Sequence, residues 1–302
     1  MCLADKNLLK RGMSGPDEAS GGSIEPPEIT TDDIIQIPDE RFTEDNVAIV
    51  TGGASGIGRA TALVLAANGL TAVATDIDEE GLEEVKEKAD ELDVDGTVET
   101  VVGNLADEED IEAVVEEAAD LGQILFVTNI AGMQHIDAVE DFPLDQWDLM
   151  HDVMLRAPMY LSQLTIPYMR DADAQGAIAN MASVHGHYVT QDKVAYNSMK
   201  FGLRGLTNSI AAETDGEFRA FSVSTGYVKT PLVLNQIADT AESRGISERE
   251  VVENVMLGQA RIKEMMEPVE VGNLFAFGLS KHSRLLNGAD LLWDGGYVET
   301  YR

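Results

Sequence analysis

Tyr196 and Lys200 stand four residues apart in a stretch, Val194 to Glu213, with helical periodicity, so both project from one face. Ser183 lies upstream, just past the apolar run Gly176 to Met181. A phenol, an ammonium and a hydroxyl brought together can move a proton at a substrate oxygen. A free tyrosine has a pKa near ~10. A cation beside it stabilises the phenolate and brings the group toward the range where general acid/base work is efficient. In that arrangement Tyr196 exchanges the proton, Lys200 supplies the field and holds a nicotinamide ribose, and Ser183 hydrogen-bonds the substrate oxygen. Tyr-x-x-x-Lys pairs also arise by chance on many helices, so this one takes its weight from what precedes it.

Thr51-Gly-Gly-Ala-Ser-Gly-Ile-Gly58 lies between a short apolar run, Val47 to Val50, and a helical stretch, Gly56 to Asn68. A dinucleotide loop needs that placement. Gly52, Gly56 and Gly58, with Ser55 and Ile57 among them, let the backbone turn tightly and approach a pyrophosphate that faces a helix N-terminus. Glycine clusters are often no more than turns, and here a second feature decides. Asp76 ends the run that begins at Thr71, 18 residues past Gly58. Its carboxylate can accept hydrogen bonds from ribose hydroxyls and would repel a 2′-phosphate, which favours NAD over NADP. No Lys or Arg lies between Gly52 and Ile57 to receive that phosphate, and Arg59 reads as a solvated first-turn residue. Asp76 could instead be a capping acid, but its position directly after TAVAT prefers the cofactor role.

The elements that must position these residues alternate. Strand-like runs are expected at Val47 to Val50, Thr71 to Thr75, Thr97 to Val102, Ile124 to Thr128, Gly176 to Met181, Phe218 to Ser224 and Asp290 to Trp293. Helices are expected at Gly56 to Asn68, Glu79 to Leu92, Asp107 to Leu121, Leu144 to Met169, Val194 to Glu213, Ser247 to Lys263 and Val269 to Leu279. Alternation of this kind predicts an α/β fold, a single Rossmann-type domain with a doubly wound parallel sheet and helices on both faces. Residues 45–302 form the expected NAD-binding catalytic domain. Residues 1–44, rich in Gly, Pro, Ser and acids, are expected to be a disordered extension, with a partner-binding segment around Ile29 to Ile37 as a second reading.

Composition limits the partners. The chain has 54 acidic residues against 21 basic ones, a formal charge of −33. Such a surface repels phosphates, which argues against nucleic acid. The acids are spread, with Glu79, Glu80, Glu83, Glu84, Glu87, Asp90 and Glu91 along one helix and Asp107 to Asp110 opening another. A spread acidic coat with few lysines is the pattern of proteins from salty cytoplasm. No run reaches the roughly 20 apolar residues of a membrane span. The single cysteine, Cys2, excludes an internal disulfide and, with no secretory leader evident, fits a cytoplasmic protein.

Over about residues 46 to 300 the chain resembles the short-chain dehydrogenase/reductase family. The matching pieces are TGGASGIG at 51–58, Asn129-Ile-Ala-Gly132, Ser183, YNSMK at 196–200, TGYVKTPL at 225–232 and DGG at 294–296. The resemblance implies that Tyr196 is the acid/base, assisted by Ser183 and Lys200. It also places Asn104, Leu105, Asn129 and Val228 near NAD, and implies a homotetramer. Within that family, AGMQHIDAVEDFP, MASVHGHYVTQDKVAYNSMK and KTPLVLNQI are similar to stretches of D-3-hydroxybutyrate dehydrogenases. That likeness implies oxidation of D-3-hydroxybutyrate to acetoacetate, with Gln134, Ser183, His185, Lys193, Tyr196 and Gln236 around a small hydroxy acid. Charge-assisted hydrogen bonds from Lys193 suit its carboxylate. His185 and His187 could be read as metal ligands, but no third ligand is apparent, so no metal is expected. Four departures stand out. Met154 replaces the Asn that in the family supports a water chain to the active lysine, Ile130 replaces the second turn Asn, Thr225-Gly226 replaces the family's Pro-Gly turn, and Asn104 replaces the usual adenine-contacting Asp. Two other readings stay open: another member of the family acting as a 3-oxoacyl reductase or a sugar or alcohol dehydrogenase, and a cofactor-binding protein with little or no turnover.

Overall fold

A computed structural model describes residues 26–300. Seven strands form one parallel sheet: β1 Asn46–Thr51, β2 Thr71–Asp76, β3 Thr97–Val102, β4 Gln123–Asn129, β5 Gly176–Met181, β6 Phe218–Thr225 and β7 Asp290–Trp293. Their order is β3-β2-β1-β4-β5-β6-β7. Helices α1 Gly56–Ala67, α2 Glu79–Leu92 and α9 Pro268–Leu279 cover one face. Helices α3 Glu108–Leu121, α5 Ala157–Asp171 and α6 Val194–Ala212 cover the other. The central strands are buried on both sides, so they read as continuous Val/Ile/Ala runs rather than alternating ones. Helix α1 is almost entirely Ala, Leu and Val on its inner turns. It is crossed closely by α9, where a Cβ on Gly272 would stand 3.1 Å from the Ala60 backbone. Chain order reverses between β1 and β4, and the cleft that opens beyond their C-terminal ends is where doubly wound sheets bind ligands.

The expected long helix at Leu144 to Met169 is interrupted. It runs as α4 Leu144–His151, a π turn Asp152–Arg156, and then α5. Pro158 has no N–H to offer the carbonyl of Met154, and the Ala157 N–H bonds back to the Asp152 carbonyl instead, which widens the turn. The helix expected over Ser247 to Lys263 is shorter still. A single turn, α8 Glu248–Glu250, leads into a π turn Val251–Met256, and Arg261 and Ile262 then donate their N–H groups to the Gly295 carbonyl. One helix, α7 Pro231–Arg244, was not expected; Thr230 caps it, Pro231 opens it, and Gly245 closes it at φ +63°.

The extension expected through residue 44 is a correction over residues 26–44, because these pack onto the body. Ile34 and Phe42 join the core beside α1 and α9, and the Phe42 ring meets Phe126 edge to face. Two asparagines grip the strap as a neighbouring strand would. Asn273 accepts from the Ile35 N–H at 2.9 Å and donates to the Asp33 carbonyl at 2.8 Å. Asn68 accepts from the Ile37 N–H at 2.7 Å and donates to the Ile35 carbonyl at 3.1 Å. Arg41, buried and paired with Asp39, donates to the carbonyls of Gln175 and Leu279. The segment Ile29 to Ile37 thus binds the chain's own domain. Residues 1–25, with Cys2, lie outside the described residues. Among the described residues, no helix is long and apolar enough to cross a membrane.

Candidate active site

Every expected dinucleotide residue except Asn129 lines one cleft of about 460 Å³, together with Ser183, Tyr196 and Lys200. The loop after β1 forms its floor. Gly52 (φ +69°) passes so near Ala131 that a Cβ would lie 2.8 Å from its Cα, and a Cβ on Gly58 would overlap the Gly52 carbonyl. The backbone N–H groups of Ser55, Gly56, Ile57 and Gly58 have no hydrogen-bond partner among the described residues, and Ser55 caps none of them. Unsatisfied donors at a helix start, with no side chain in the way, fit a pyrophosphate. Asp76 sits at the end of β2 and accepts the N–H groups of Ile77 at 2.8 Å, Ala54 at 3.2 Å and Asp78 at 3.3 Å. Among the described residues, no cation pairs with it. Arg59 is turned away, with its guanidinium on the Ala54 carbonyl and the Glu84 carboxylate. Asn104 spends its side-chain oxygen on the Ala106 N–H at 3.0 Å, and its amide NH₂ has no partner among the described residues. Asn129 does not line the cleft. It is buried behind it and donates to Asn180 at 2.8 Å, tying β4 to β5.

At the far end of the cleft, α6 presents Tyr196 and Lys200 beside Ser183, which follows β5. The Lys200 ammonium is buried 5.5 Å from the Tyr196 ring centre and donates to the Met181 carbonyl at 2.6 Å. Burial pulls the Lys200 pKa down to about 7. Burial raises the Tyr196 phenol, and the nearby Ser183 hydroxyl acts the other way. The Ser183 hydroxyl accepts the His185 N–H at 3.1 Å, which fixes its lone pairs and leaves its proton to donate. Met154 is buried in a small cluster with Met150, Ala195 and Met199. Its methyl and the Lys200 nitrogen both lie 3.9 Å from the point a Cβ on Gly132 would occupy. Met154 therefore brings a thioether, not a hydrogen-bonding amide, to the wall beside Gly132. Ile130 keeps the turn by its backbone: its N–H and that of Ala131 both donate to the Thr51 hydroxyl, at 2.9 and 3.1 Å.

Two of the four added hydroxy-acid residues gather at Tyr196. Lys193 is only 8% exposed, its ammonium lies 6.0 Å from the Tyr196 ring centre, and that ammonium makes no hydrogen bond or ion pair among the described residues. Burial lowers its pKa to about 8. His185 packs edge-on to Tyr196 at 5.6 Å, and burial together with Lys193 and Lys200 lowers its pKa to about 4. Gln134, on the loop after β4, and Gln236, on α7, are half-buried; neither lines the cleft or hydrogen-bonds through its side chain among the described residues. His187 is drawn elsewhere, onto Asp290 at 2.8 Å. Sequence reasoning missed an aromatic row that continues from His185: Tyr188 at 5.2 Å, Tyr297 stacked on it at 5.6 Å, and Tyr227 against that at 6.5 Å. The only signal was a tyrosine directly after Gly226 and another directly after Gly296.

A half-buried tyrosine with a buried serine and lysine beside a glycine cradle can take up an alcohol's proton while a bound nicotinamide would accept its hydride. Comparison with known proteins agrees. The family model described as enoyl-(acyl carrier protein) reductase matches residues 52–298. The D-beta-hydroxybutyrate dehydrogenase of Rhizobium meliloti (strain 1021) is 33% identical over 255 residues, covering 83% of this chain and 98% of that protein. Among solved structures, levodione reductase superposes with a TM-score of 0.80 at 31% identity, over 86% of this chain and 100% of that one. The L-sorbose reductase of Gluconobacter frateurii, complexed with NADPH and L-sorbose, gives 0.79 at 25%, over 86% and 98%.

Proposed function

The chain belongs to the short-chain dehydrogenase/reductase family, and from that premise we propose that it oxidises D-3-hydroxybutyrate to acetoacetate with NAD. The observation that carries the substrate is Lys193. A buried ammonium with no counter-ion among the described residues, in a chain with 54 acids, is costly unless a ligand supplies the anion. A carboxylate placed there puts a β-hydroxyl within reach of Tyr196 and Ser183, and a four-carbon acid is short enough to make both contacts. The observation that carries the cofactor is Asp76, an uncompensated carboxylate where a 2′-phosphate would sit. When bound, the nicotinamide supplies the hydride acceptor. Ser183 orients the hydroxyl and Tyr196 takes its proton. The cation of Lys200 favours the phenolate form of Tyr196, and the low-dielectric wall of Met150, Met154 and Met199 strengthens that field.

The test is NADH appearance with D-3-hydroxybutyrate and NAD in concentrated KCl, with the L acid and NADP as controls. A rate with the D acid and NAD alone supports the reading. A second reading, reduction of a neutral cyclic or polyhydroxy ketone, is favoured by the tyrosine row and by the likeness to the levodione and L-sorbose enzymes. NADPH oxidation with such ketones, and none with acetoacetate, would replace the first reading by the second.

A further inference from the structure

Residues 231–265 stand apart from the rest of the molecule. Helix α7, the turn α8 and the π turn Val251–Met256 pack on a small core of their own, Ile237, Val251 and Met256, separate from the two cores that cover the sheet. At the near end of this lobe, Leu232 and Val233 close one side of the cofactor cleft. Its far end is tied to the C-terminal segment, where Arg261 and Ile262 donate to the Gly295 carbonyl. The chain enters the lobe through residues 227–230 and leaves it through residues 265–267, and these two segments pair. The Lys229 N–H donates to the Met266 carbonyl at 2.9 Å, and the Met266 N–H donates to the Tyr227 carbonyl at 3.0 Å.

A side-chain pair lies across that ladder. Lys229 Nζ donates to Glu267 Oε1 at 2.5 Å, both side chains are mostly buried, and neither has another ion-pair partner among the described residues. Glu267 is the N-cap of α9, which packs closely on α1 through Gly272, so its carboxylate belongs to the body. Lys229 belongs to the segment that carries Val228 along the cleft wall and Thr230 over the glycine cradle. There the Thr230 methyl stands 3.1 Å from the point a Cβ on Gly56 would occupy. The second Glu267 oxygen is buried and has no hydrogen-bond partner among the described residues. A buried oxygen without a donor is costly, so this carboxylate depends on Lys229 for its compensation. Resting on the reading above that the cleft binds a nicotinamide dinucleotide, we propose that Lys229 and Glu267 are a positioning pair for that cofactor. The ion pair fixes the segment bearing Val228 and Thr230 to the start of α9, and so sets the spacing between the cleft wall and the glycine cradle. Neither side chain lines the cleft; both line a neighbouring groove that shares Ser55, Gly56 and Pro231 with it.

Binding and hydrogen exchange, rather than turnover, decide it. NADH and NADPH affinities are followed by fluorescence titration in concentrated KCl, which screens a mostly buried pair little. Lys229→Met and Glu267→Gln are each expected to weaken binding of the dinucleotide that the wild type takes by about threefold to thirtyfold. In the cofactor-free protein, the amides at positions 229 and 266 should exchange about tenfold faster in either variant, while those of β1 and β4 keep the wild-type rate. The double variant should be little worse than either single one, because the first substitution already removes the pair. Lys229→Arg, which keeps the charge, should hold both affinity and exchange near the wild type. Unchanged affinity in the single variants overturns the proposal. So does weaker binding with unmoved exchange at 229 and 266, and so does a double variant whose losses add. If Glu267→Gln does not fold, Lys229→Met is compared with Lys229→Arg alone, and equal losses in those two sink the pair. A wild type that binds neither dinucleotide brings down the cofactor reading, whereas normal binding that ignores the variants brings down only the pair. A wild type that binds NADH but oxidises no hydroxy acid removes the substrate reading and leaves this inference standing.

Discussion

Replacing Tyr196 with Phe removes one oxygen and almost no volume, so the cleft and its glycine floor should stay as they are. Turnover is expected to vanish into background while NAD affinity, followed by fluorescence titration, changes less than about twofold; retained activity would take Tyr196 out of the chemistry. Lys193→Ala separates binding from chemistry. Loss of one charge-assisted hydrogen bond, about 1.5–3 kcal/mol, predicts a KM for the hydroxy acid about tenfold to hundredfold higher. The KM for a neutral alcohol should be unmoved. The same lysine sets a pH limit. Its burial places its pKa at about 8, so it is charged below that value and loses its proton above it. The KM of a carboxylate substrate should therefore rise as pH passes about 8, and Lys193→Ala should flatten that rise. Tyr196, Lys200 and Asp76 were legible in the sequence because spacing alone fixes their helix face or strand end. Asn129 was not, because whether it faced the cleft or β5 depended on Asn180, a residue 51 positions away. The tyrosine row was missed for the same reason, since Tyr188, Tyr227 and Tyr297 meet only in the fold.

Elements with strong local signals were readable, and those set by distant contacts were not. Alternating strands and helices announced the parallel sheet, and Thr230, Pro231 and Gly245 carried start and stop marks for α7 whose weak apolar periodicity hid it. Pro158 stood in plain view, yet the consequence of its missing N–H, the π turn over Asp152–Arg156 that carries Met154, needs the three-dimensional ladder. The strap over residues 26–44 shows the limit most clearly. Its composition is that of a tail, and what orders it is Asn68 and Asn273, far along the chain. Removing residues 1–44 should uncover the core around Ile34 and Phe42, leave Asn273 without its strap partners and leave Asn68 only the Val64 carbonyl. The milder Phe42→Ala is expected to cost about 3–5 kcal/mol. Urea unfolding measures both. An unchanged midpoint for the truncated chain would make the strap an ornament rather than part of the domain.

At the scale of the molecule, the acids that the sequence spreads along α2 are the ones the fold turns outward: Glu79, Glu80, Glu83, Glu84, Glu87, Asp90 and Glu91 are exposed. Like charges four residues apart on one helix, such as Glu79 with Glu83 and Glu83 with Glu87, each cost about 0.2–0.5 kcal/mol at low salt. Asp90 and Glu91 also lie at the helix C-terminus, where the backbone dipole disfavours them. Summed over a charge of −33, this repulsion opposes the compact chain and any contact between two copies. Yet the surface carries apolar side chains that suit such contacts: Leu144, Leu149 and Met159 on α4 and α5, Phe201 on α6, and Phe277, Leu285 and Trp293 around α9 and β7. From these two faces and the family resemblance we expect a homotetramer that assembles only when the coat is screened. In about 1 M KCl the screening length falls to roughly 3 Å, shorter than the spacing of the charges. Thermal unfolding and light scattering, each run in dilute buffer and in concentrated KCl, test this together. Salt should raise Tm by on the order of ten degrees, equivalent to about 3–5 kcal/mol for a chain of this length. The scattering mass should move from monomer or dimer toward four chains over the same range. Equal Tm at both salt levels would mean that the acidic coat is neutral for stability. Stabilisation without a change in mass would mean that screening acts within one chain and that the apolar faces serve another partner.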